Sequence, residues 1–304
     1  MAETILKLVN LNKTFILGSQ KNAKKAQKAI QKLQKKFEAD SEKSDKSRIE
    51  VEQELLNKAQ EHFQKEEFEQ SYALITGKFL KKKRNKGVVV HALNGISLDI
   101  DEGELVAIMG PSGSGKSTLL NMLGLLDEPT TGQIFIKGKN ITAIKRRELP
   151  TIRSRELGFV FQSFNLITTL TALENVMLPL RYASVSLKQR KQMAKQALEQ
   201  VGLGNRLHHK PNELSGGQQQ RVAIARSIVN HPSIIFADEL TGELDSKMTV
   251  EIMDLVVKLN KAGQTFIIVT HNPEVAKRTK RILFMKDGKI EKELNRSKLN
   301  KKDA

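Results

Sequence analysis

The chain has 304 residues, a formal net charge of +17 and no cysteine. Its length suffices for a core of ordinary size in one domain or two, and the lack of thiols excludes disulfides, thiolate zinc sites and thiol catalysis. The charge favours an anionic partner such as a nucleotide, a nucleic acid or an anionic lipid, although a lysine-biased proteome would give the same excess. With no evident signal peptide and no apolar run of the roughly 20 residues that span a bilayer, we expect a soluble chain.

The apolar pattern predicts strands that alternate with helices. Strands are expected over 4–15, 88–101, 105–110, 132–138, 158–162, 233–239 and 265–271, with a terminal hairpin over 281–290. Helical spacing marks 116–126, 186–202, 215–230 and 246–262. Buried strands that alternate with helices indicate an α/β fold with a mainly parallel sheet.

A lysine-rich segment, residues 19–87, interrupts this pattern between the first two strands. Apolar residues recur there at helical spacing, first at Ala26, Ile30, Leu33 and Phe37 and then at Leu55, Leu56, Ala59 and Phe63. We predict two helices, which would form an antiparallel pair if residues 39–47 turn between them. Three roles stay open for the segment: a solvated insertion, a contact with anionic lipid or an acidic partner, or a nucleic-acid arm.

A glycine-rich stretch after the strand 105–110 fits the phosphate-loop pattern. Its residues are Gly110, Pro111, Ser112, Gly113, Ser114, Gly115, Lys116, Ser117 and Thr118. Small residues let successive N–H groups face phosphates, and the helix that follows adds its positive N-terminal dipole. Lys116 is expected to reach the β- and γ-phosphates of ATP, and Ser117 to hold Mg²⁺. Because a strand precedes the loop and a helix follows it, we predict a nucleotide site rather than an ordinary turn.

Acidic and histidine side chains end two further buried strands. Asp238 and Glu239 close the strand 233–239, and His271 closes the strand 265–271. Asp238 is suited to bind Mg²⁺ and Glu239 to accept a proton from the attacking water. If neighbouring parallel strands end at one edge of the sheet, His271 stands beside the γ-phosphate.

The pentapeptide Leu-Ser-Gly-Gly-Gln at 214–218 precedes a predicted helix. A serine and two glycines at a helix start expose N–H donors and a dipole to an anion. At these residues the sequence resembles the ATP-binding cassette family, whose signature is this pentapeptide. The resemblance implies two subunits packed head to tail, with ATP between Lys116 of one chain and the signature of the other, in which Ser215, Gly217 and Gln218 bind the nucleotide.

The resemblance assigns further roles in the same chain order. Gln162 matches the glutamine loop that senses metal and water, and Asp245 matches the loop that couples the two sites of a dimer. Phe15 is the best match for the aromatic residue that stacks on adenine, with ordinary packing as its alternative. One departure is Leu240, which stands where the family commonly has proline; we expect at most a quantitative effect on turnover.

The resemblance also implies an architecture. It covers residues 4–18 and 88–292, and implies a phosphate-loop NTPase core in domain 1–18 plus 88–292, an antiparallel β subdomain and a helical signature subdomain at about 163–230. The charged helical insertion 19–87 and a charged tail, 293–304, complete the chain. Residues 158–180 and 213–226 look most like ATPases that drive lipoprotein release, macrolide export or related mechanical work.

The function expected from the resemblance is ATP hydrolysis that drives a separate integral-membrane permease. The ATPase would act as a dimer, with a homodimer expected, peripherally at the cytoplasmic face of the membrane, with ATP and Mg²⁺ as cofactors. One alternative is an ATPase that works a non-transport regulator of cell-wall or division machinery. A nucleic-acid-associated ATPase is the least favoured alternative, because the basic insertion is the only feature that supports it.

Overall fold

A computed structural model describes residues 3–17, 21–40, 53, 55–61, 88–183 and 185–295. The strands are β1 (Thr4–Leu17), β2 (Val88–Asp101), β3 (Leu105–Met109), β4 (Thr131–Ile136), β5 (Lys139–Asn140), β6 (Leu157–Val160), β7 (Ile234–Asp238), β8 (Thr265–Val269), β9 (Arg281–Lys286) and β10 (Lys289–Asn295). The helices are α1 (Lys21–Asp40), α2 (Lys116–Leu123), α3 (Leu149–Glu156), α4 (Ala172–Arg181), α5 (Leu187–Gln200), α6 (Gly216–Ile228), α7 (Ser246–Lys261) and α8 (Pro273–Lys277). A 3₁₀ turn occupies Pro211–Glu213, and residues 55–61 are also helical.

The strands form two sheets. An antiparallel sheet has the order β2-β1-β4-β5, and a second sheet has the order β10-β9-β3-β8-β7-β6. In the second sheet β6, β7, β8, β3 and β9 run parallel, and β10 closes a hairpin with β9. The predicted α/β fold with a mainly parallel sheet and an antiparallel subdomain is therefore confirmed.

The parallel strands are apolar because the sheet is covered on both faces. All five residues of β8 are buried, as are the first four of β7, and two large apolar clusters pack against the opposite faces of the sheet. Asp238 pairs with Val269, and Ile108 pairs with the same residue from the other side. The carboxyl ends of β3, β7 and β8 consequently meet at one edge.

The helices α4, α5 and α6 lie between β6 and β7 in the chain, within the range predicted to be helical. Each begins with a capping box, in which a hydroxyl accepts from the third helical N–H and that residue's side chain returns a bond. The three capping residues are Thr171, Ser186 and Ser215. The start of each helix is therefore determined by local sequence.

Predicted and observed boundaries differ most at two places. The helix expected over 116–126 ends at Leu123, with Gly124 as its C-cap and Leu125 in the left-handed region at φ +55°. The tail expected from residue 293 begins later, because Glu293 belongs to β10 and accepts a hydrogen bond from Arg281 Nε at 2.8 Å. That cross-strand ion pair extends the hairpin beyond the apolar residues that predicted it.

The insertion contains helices where helical spacing predicted them. α1 and residues 55–61 are helical, with Ile30, Leu56 and Ala59 buried. Residues 41–52, 54 and 62–87 lie outside the described part of the chain. Phe63 and most of the predicted turn fall in those ranges. The antiparallel pairing of the two helices stays a prediction.

Candidate nucleotide site

The phosphate loop joins β3 to α2, as its sequence predicted. A β-carbon on Gly110 would lie 2.2 Å from the carbonyl oxygen of Met285, and one on Gly115 would lie 2.4 Å from that of Ala92. Both glycines also have positive φ, +156° and +97°. Only glycine fits such close backbone approaches in these conformations, so β2 and β9 fix the shape of the loop from outside.

The tip of the β9–β10 hairpin supports the loop as well. Gly288 N–H donates to the carbonyl oxygen of Ser114 at 3.1 Å, and Asn94 N–H donates to that of Gly288 at 2.9 Å. The sequence predicted a turn at Asp287 and Gly288 but gave it no place at the site. Its Asp-Gly pair is a common turn signal, and only the fold shows that this turn lies against the phosphate loop.

The interior of the loop faces a cavity of about 780 Å³. Lys116 Nζ lies at its mouth, where it donates to the carbonyl oxygens of Gly110 and Pro111 at 2.8 Å each. Ser114 Oγ is buried and finds no hydrogen-bond partner among the described residues. A glycine-rich loop at a helix start, with an ammonium beside it and a buried hydroxyl that lacks a partner, fits an oxygen-rich anion such as a nucleotide phosphate.

Both carboxylates and the histidine predicted for the site line the same cavity. Glu239 N–H donates to the Val269 carbonyl at 2.9 Å, which continues the pairing of β7 with β8 by one residue. Glu239 Oε1 accepts from His271 N–H at 3.1 Å and lies 2.7 Å from His271 Nδ1, while Oε2 accepts from Thr270 Oγ1 at 3.3 Å. Thr270 was missed in the sequence; with His271 it fixes the carboxylate plane.

The ionised form of Asp238 is disfavoured in the nucleotide-free protein. Burial and the neighbouring Glu239 raise the pKa of Asp238 above its ordinary value, and Lys116 offsets part of that rise. A divalent cation close to the carboxylate would favour its ionised form. With Ser117 and Gln162 on the same cavity wall, these residues fit Mg²⁺ bound together with phosphate oxygens.

Gln162 follows β6 and packs against the turn after Glu239. A β-carbon on Gly242 would come within 2.9 Å of Gln162 Nε2, so a larger residue there would displace the Gln162 side chain. The next residues are held by Arg226, which donates to the carbonyl oxygens of Phe164 at 2.8 Å and Asn165 at 2.5 Å. Arg226 lies at the end of the signature region, but the sequence predicted no role for it; burial lowers the pKa of its guanidinium.

Leu240, the departure from the family pattern, is 2% exposed and belongs to the core shared with the helical subdomain. Its carbonyl oxygen accepts a hydrogen bond from Gln220 Nε2 at 2.5 Å. The turn is therefore restrained by packing and by this bond instead of by a proline ring. The expected effect on turnover stays a prediction.

Phe15 lies at the rim of the site. It is 39% exposed and pairs across the antiparallel sheet with Val90, which lines the cavity. Directly opposed residues project from the same face of a sheet, so the ring is on the side of the nucleotide cavity. Lys13 Nζ lies 5.1 Å from the ring centroid, within cation–π range.

The signature residues do not join Lys116 in this cavity. Ser215 is the N-cap of α6, where its hydroxyl accepts from Gln218 N–H at 3.3 Å and its own N–H donates to Gln218 Oε1 at 3.1 Å. Asp245 caps α7 by accepting from Met248 N–H at 2.8 Å. Gly217 lies against the same Met248. The phosphate loop and the signature at the start of α6 are thus separate surfaces of one chain.

Comparison with known proteins identifies the family of this chain. A family model described as ABC transporter matches residues 93–242. The lipoprotein-releasing system ATP-binding protein LolD of Aquifex aeolicus is 51% identical over 204 residues, which are 67% of this chain and 91% of that protein. The chain belongs to the ATP-binding cassette family. A second relative, the macrolide export ATP-binding/permease protein MacB of Hyphomonas neptunium, is 49% identical over 201 residues, 66% of this chain and 31% of that longer protein.

A solved structure agrees with the sequence relatives. The cassette MJ0796, from Methanocaldococcus jannaschii, in a dimeric post-hydrolysis state with ADP and Pi, superposes with a TM-score of 0.66 at 37% identity, covering 96% of this chain and 98% of that one. The protein is an ABC ATPase that binds ATP with Mg²⁺, and the alternatives from other classes are not favoured. Of the helices that the structure describes, none has the length and apolar character to cross a bilayer.

Proposed function

We propose that two copies of this chain assemble head to tail around two Mg-ATP and drive a separate integral-membrane permease from the cytoplasmic face of the membrane. The observation that carries the proposal is the separation of the Lys116 cavity from the signature at Ser215 within one chain. Each of them lies at the N-terminus of a helix, a position that favours anions. A head-to-tail dimer brings the two kinds of surface together twice.

The residues of the cavity divide the chemistry between them. Glu239, fixed by His271 and Thr270, accepts the proton of the attacking water. Lys116 and His271 stabilise the charge that develops on the phosphate oxygens. Ser117, Gln162 and Asp238 would hold Mg²⁺, which would neutralise further charge on the phosphate oxygens.

The permease is proposed to dock in a groove of about 980 Å³ next to the site. The groove lies between the core, at Phe159, and the helical subdomain, at Tyr182, which is 83% exposed. Phe161 and Asn165 also line it, and Gln162 between them lines the nucleotide cavity. A partner in the groove therefore touches the segment that carries Gln162, which gives a direct path from hydrolysis to the membrane protein.

Replacement of the exposed aromatic residue tests the groove. We expect Tyr182→Arg to lower the yield of chain co-purified with its membrane permease in detergent at least about tenfold, because exposed aromatics often dominate interface energies. The ATPase rate of the isolated chain should stay within about twofold, since Tyr182 does not line the nucleotide cavity. The control is Leu187→Arg, at an exposed apolar residue on α5 outside the groove. Equal yields for both variants would contradict this docking site.

The raised pKa of Asp238 predicts that removal of its charge increases stability but weakens Mg²⁺-dependent ATP binding. Because its folded pKa is raised, nucleotide-free protein loses stability as the pH rises from the ordinary Asp value through the raised one, and the loss persists at neutral pH. Asp238→Asn should therefore melt about 1–2 °C higher than the parent at pH 7 without nucleotide, yet lose the Mg²⁺ dependence of ATP binding. Scanning calorimetry and titration calorimetry measure the two effects.

The control for this pair is Asp99→Asn, at an exposed carboxylate 3.9 Å from Lys7 on the antiparallel sheet. It should gain no stability and should bind Mg-ATP normally. A lower melting temperature for Asp238→Asn would show that the carboxylate stabilises the free fold, contrary to its expected role as a cation ligand.

A further inference from the structure

The first helix of the insertion, α1, carries a row of lysines on its exposed face. Its outer face carries the exposed side chains of Lys25, Lys28 and Lys32, spaced i, i+3, i+7, while Ile30, about half a turn away around the helix, is buried. This spacing forms one stripe about 10 Å long on a helix that rises 1.5 Å per residue. No carboxylate among the described residues forms an ion pair with these three ammonium groups; we call them the lysine stripe.

Three glutamine side chains of α1 hold the helix against the segment around the start of β4. Gln27 donates to Thr130 Oγ1 at 3.2 Å, Gln31 to the Pro129 carbonyl at 3.1 Å and Gln34 to the Gly132 carbonyl at 2.8 Å. The glutamines are spaced i, i+4, i+7, and all three acceptors lie on the segment that enters β4. Three directional bonds fix the rotation of α1, so the lysine stripe is held outward by the fold.

The position of α1 relates the stripe to the permease groove. Gln31 and Gln34 share a small cavity with Leu125 and Leu149, and the residues next in sequence, Leu126 and Pro150, line the groove. Glu128 makes a second connection, because it contacts Lys35 of α1 at 3.6 Å and Arg146, just before α3, at 3.8 Å. Helix α1 therefore lies beside the permease groove.

We propose that the lysine stripe of α1 binds the anionic headgroups of the membrane around the permease. The inference rests on the proposed function, since a permease in the groove brings the flank of the cassette to the bilayer surface. A stripe of lysines without carboxylate partners among the described residues complements anionic lipid, which attracts each nearby cation with no need for shaped contacts. A fixed stripe beside a membrane-facing groove also fits a flat headgroup surface better than a nucleic-acid duplex, which a protein would have to follow along its grooves.

The test measures binding of the full chain to vesicles without a permease. Phosphatidylcholine vesicles with and without one-third phosphatidylglycerol are compared by co-sedimentation at low and high salt. We expect binding only to the anionic vesicles, weakening with salt. The triple variant K25Q/K28Q/K32Q should bind at least about tenfold more weakly, since each lysine near such a surface contributes roughly a fivefold factor.

The chain offers a matched control. Lys188, Lys191 and Lys195 on α5 are exposed with the same i, i+3, i+7 spacing, so K188Q/K191Q/K195Q removes the same charge from another surface. That variant should keep vesicle binding within about threefold, and both variants should keep the ATPase rate. Equal losses in the two variants would overturn the proposal in favour of a non-specific charge effect.

Three other results would overturn the lipid assignment. Unchanged vesicle binding in the α1 variant would remove the stripe from the membrane contact. Normal vesicle binding with loss of the detergent-solubilised permease complex would assign the stripe to an acidic face of the permease, and salt-sensitive binding to duplex DNA or RNA but not to vesicles would assign it to nucleic acid. Failure of the proposed function is distinguishable, because the parent chain itself would then form no permease complex, whatever the state of the stripe.

Discussion

Glu239→Gln is expected to lower the rate of ATP hydrolysis by about two to four orders of magnitude while leaving ATP binding intact. Glutamine has the same shape as glutamate, so its amide oxygen can still accept from His271 N–H, which lies 3.1 Å from Glu239 Oε1. It cannot accept a proton from water. Binding without turnover should then accumulate an ATP-bound dimer, which light scattering detects, while phosphate release measures the rate.

A neighbouring carboxylate serves as the control for the base. Glu243 lies four residues further along and accepts from Ser163 Oγ at 3.0 Å, so it shares the surroundings of Glu239 without its contacts to His271. Glu243→Gln should keep turnover within about threefold, as expected for a surface hydrogen bond. Turnover in Glu239→Gln above a tenth of the parent rate would place the general base elsewhere.

The chemistry of the cavity could be predicted from sequence because each part is encoded locally. A phosphate loop needs small residues before a helix, so its function is visible in nine consecutive letters, and Asp238 and Glu239 end a run of buried residues that marks their strand. Topology then needs only parallel neighbours to bring these ends together. Roles that depend on distant chain segments were missed: Thr270 beside Glu239, Arg226 beneath the loop after Gln162 and the hairpin tip against the phosphate loop.

The position of the insertion could be predicted from the sequence even less well than the contacts around the site. Helical spacing was enough to predict α1, because that signal lies within the helix itself. The sequence predicted no role for Gln27, Gln31 and Gln34, since a glutamine amide carries no sign of whether water or a carbonyl will accept its bond. Their partners lie about a hundred residues further along the chain. The docking of α1, and with it the direction of the lysine stripe, could come only from the folded chain.

Two inactive variants, Lys116→Ala and Ser215→Arg, are expected to restore one nucleotide site when they share a dimer. Lys116 and Ser215 lie on separate surfaces of one chain, so in a head-to-tail dimer each site takes Lys116 from one copy and Ser215 from the other. A hybrid then contains one intact pair and one doubly defective pair. Homodimers of either variant contain no intact pair.

The number of ATP molecules trapped per dimer distinguishes a site shared by two chains from a site within one chain, and it requires no measurement of turnover. Each variant is combined with Glu239→Gln, the two chains carry different tags, and tandem purification isolates the hybrid before nucleotide is measured. We expect two ATP per parent dimer, about one per hybrid and close to none in either homodimer. Two ATP in the Ser215→Arg homodimer would show that the signature is not needed, and none in the hybrid would place both residues in the site of a single chain.

Ser186→Arg controls for the loss of a helix cap in this experiment. Ser186 caps α5 with the same reciprocal bonds to Gln189 that Ser215 makes to Gln218 on α6. Loss of either cap should cost about 1 kcal/mol of stability, so the two arginine variants should unfold at similar denaturant concentrations. Because only Ser215 is expected to face the partner's nucleotide, Ser186→Arg should still trap two ATP per dimer. Trapping that falls in both variants would trace the effect to the helix caps and remove the evidence for a shared site.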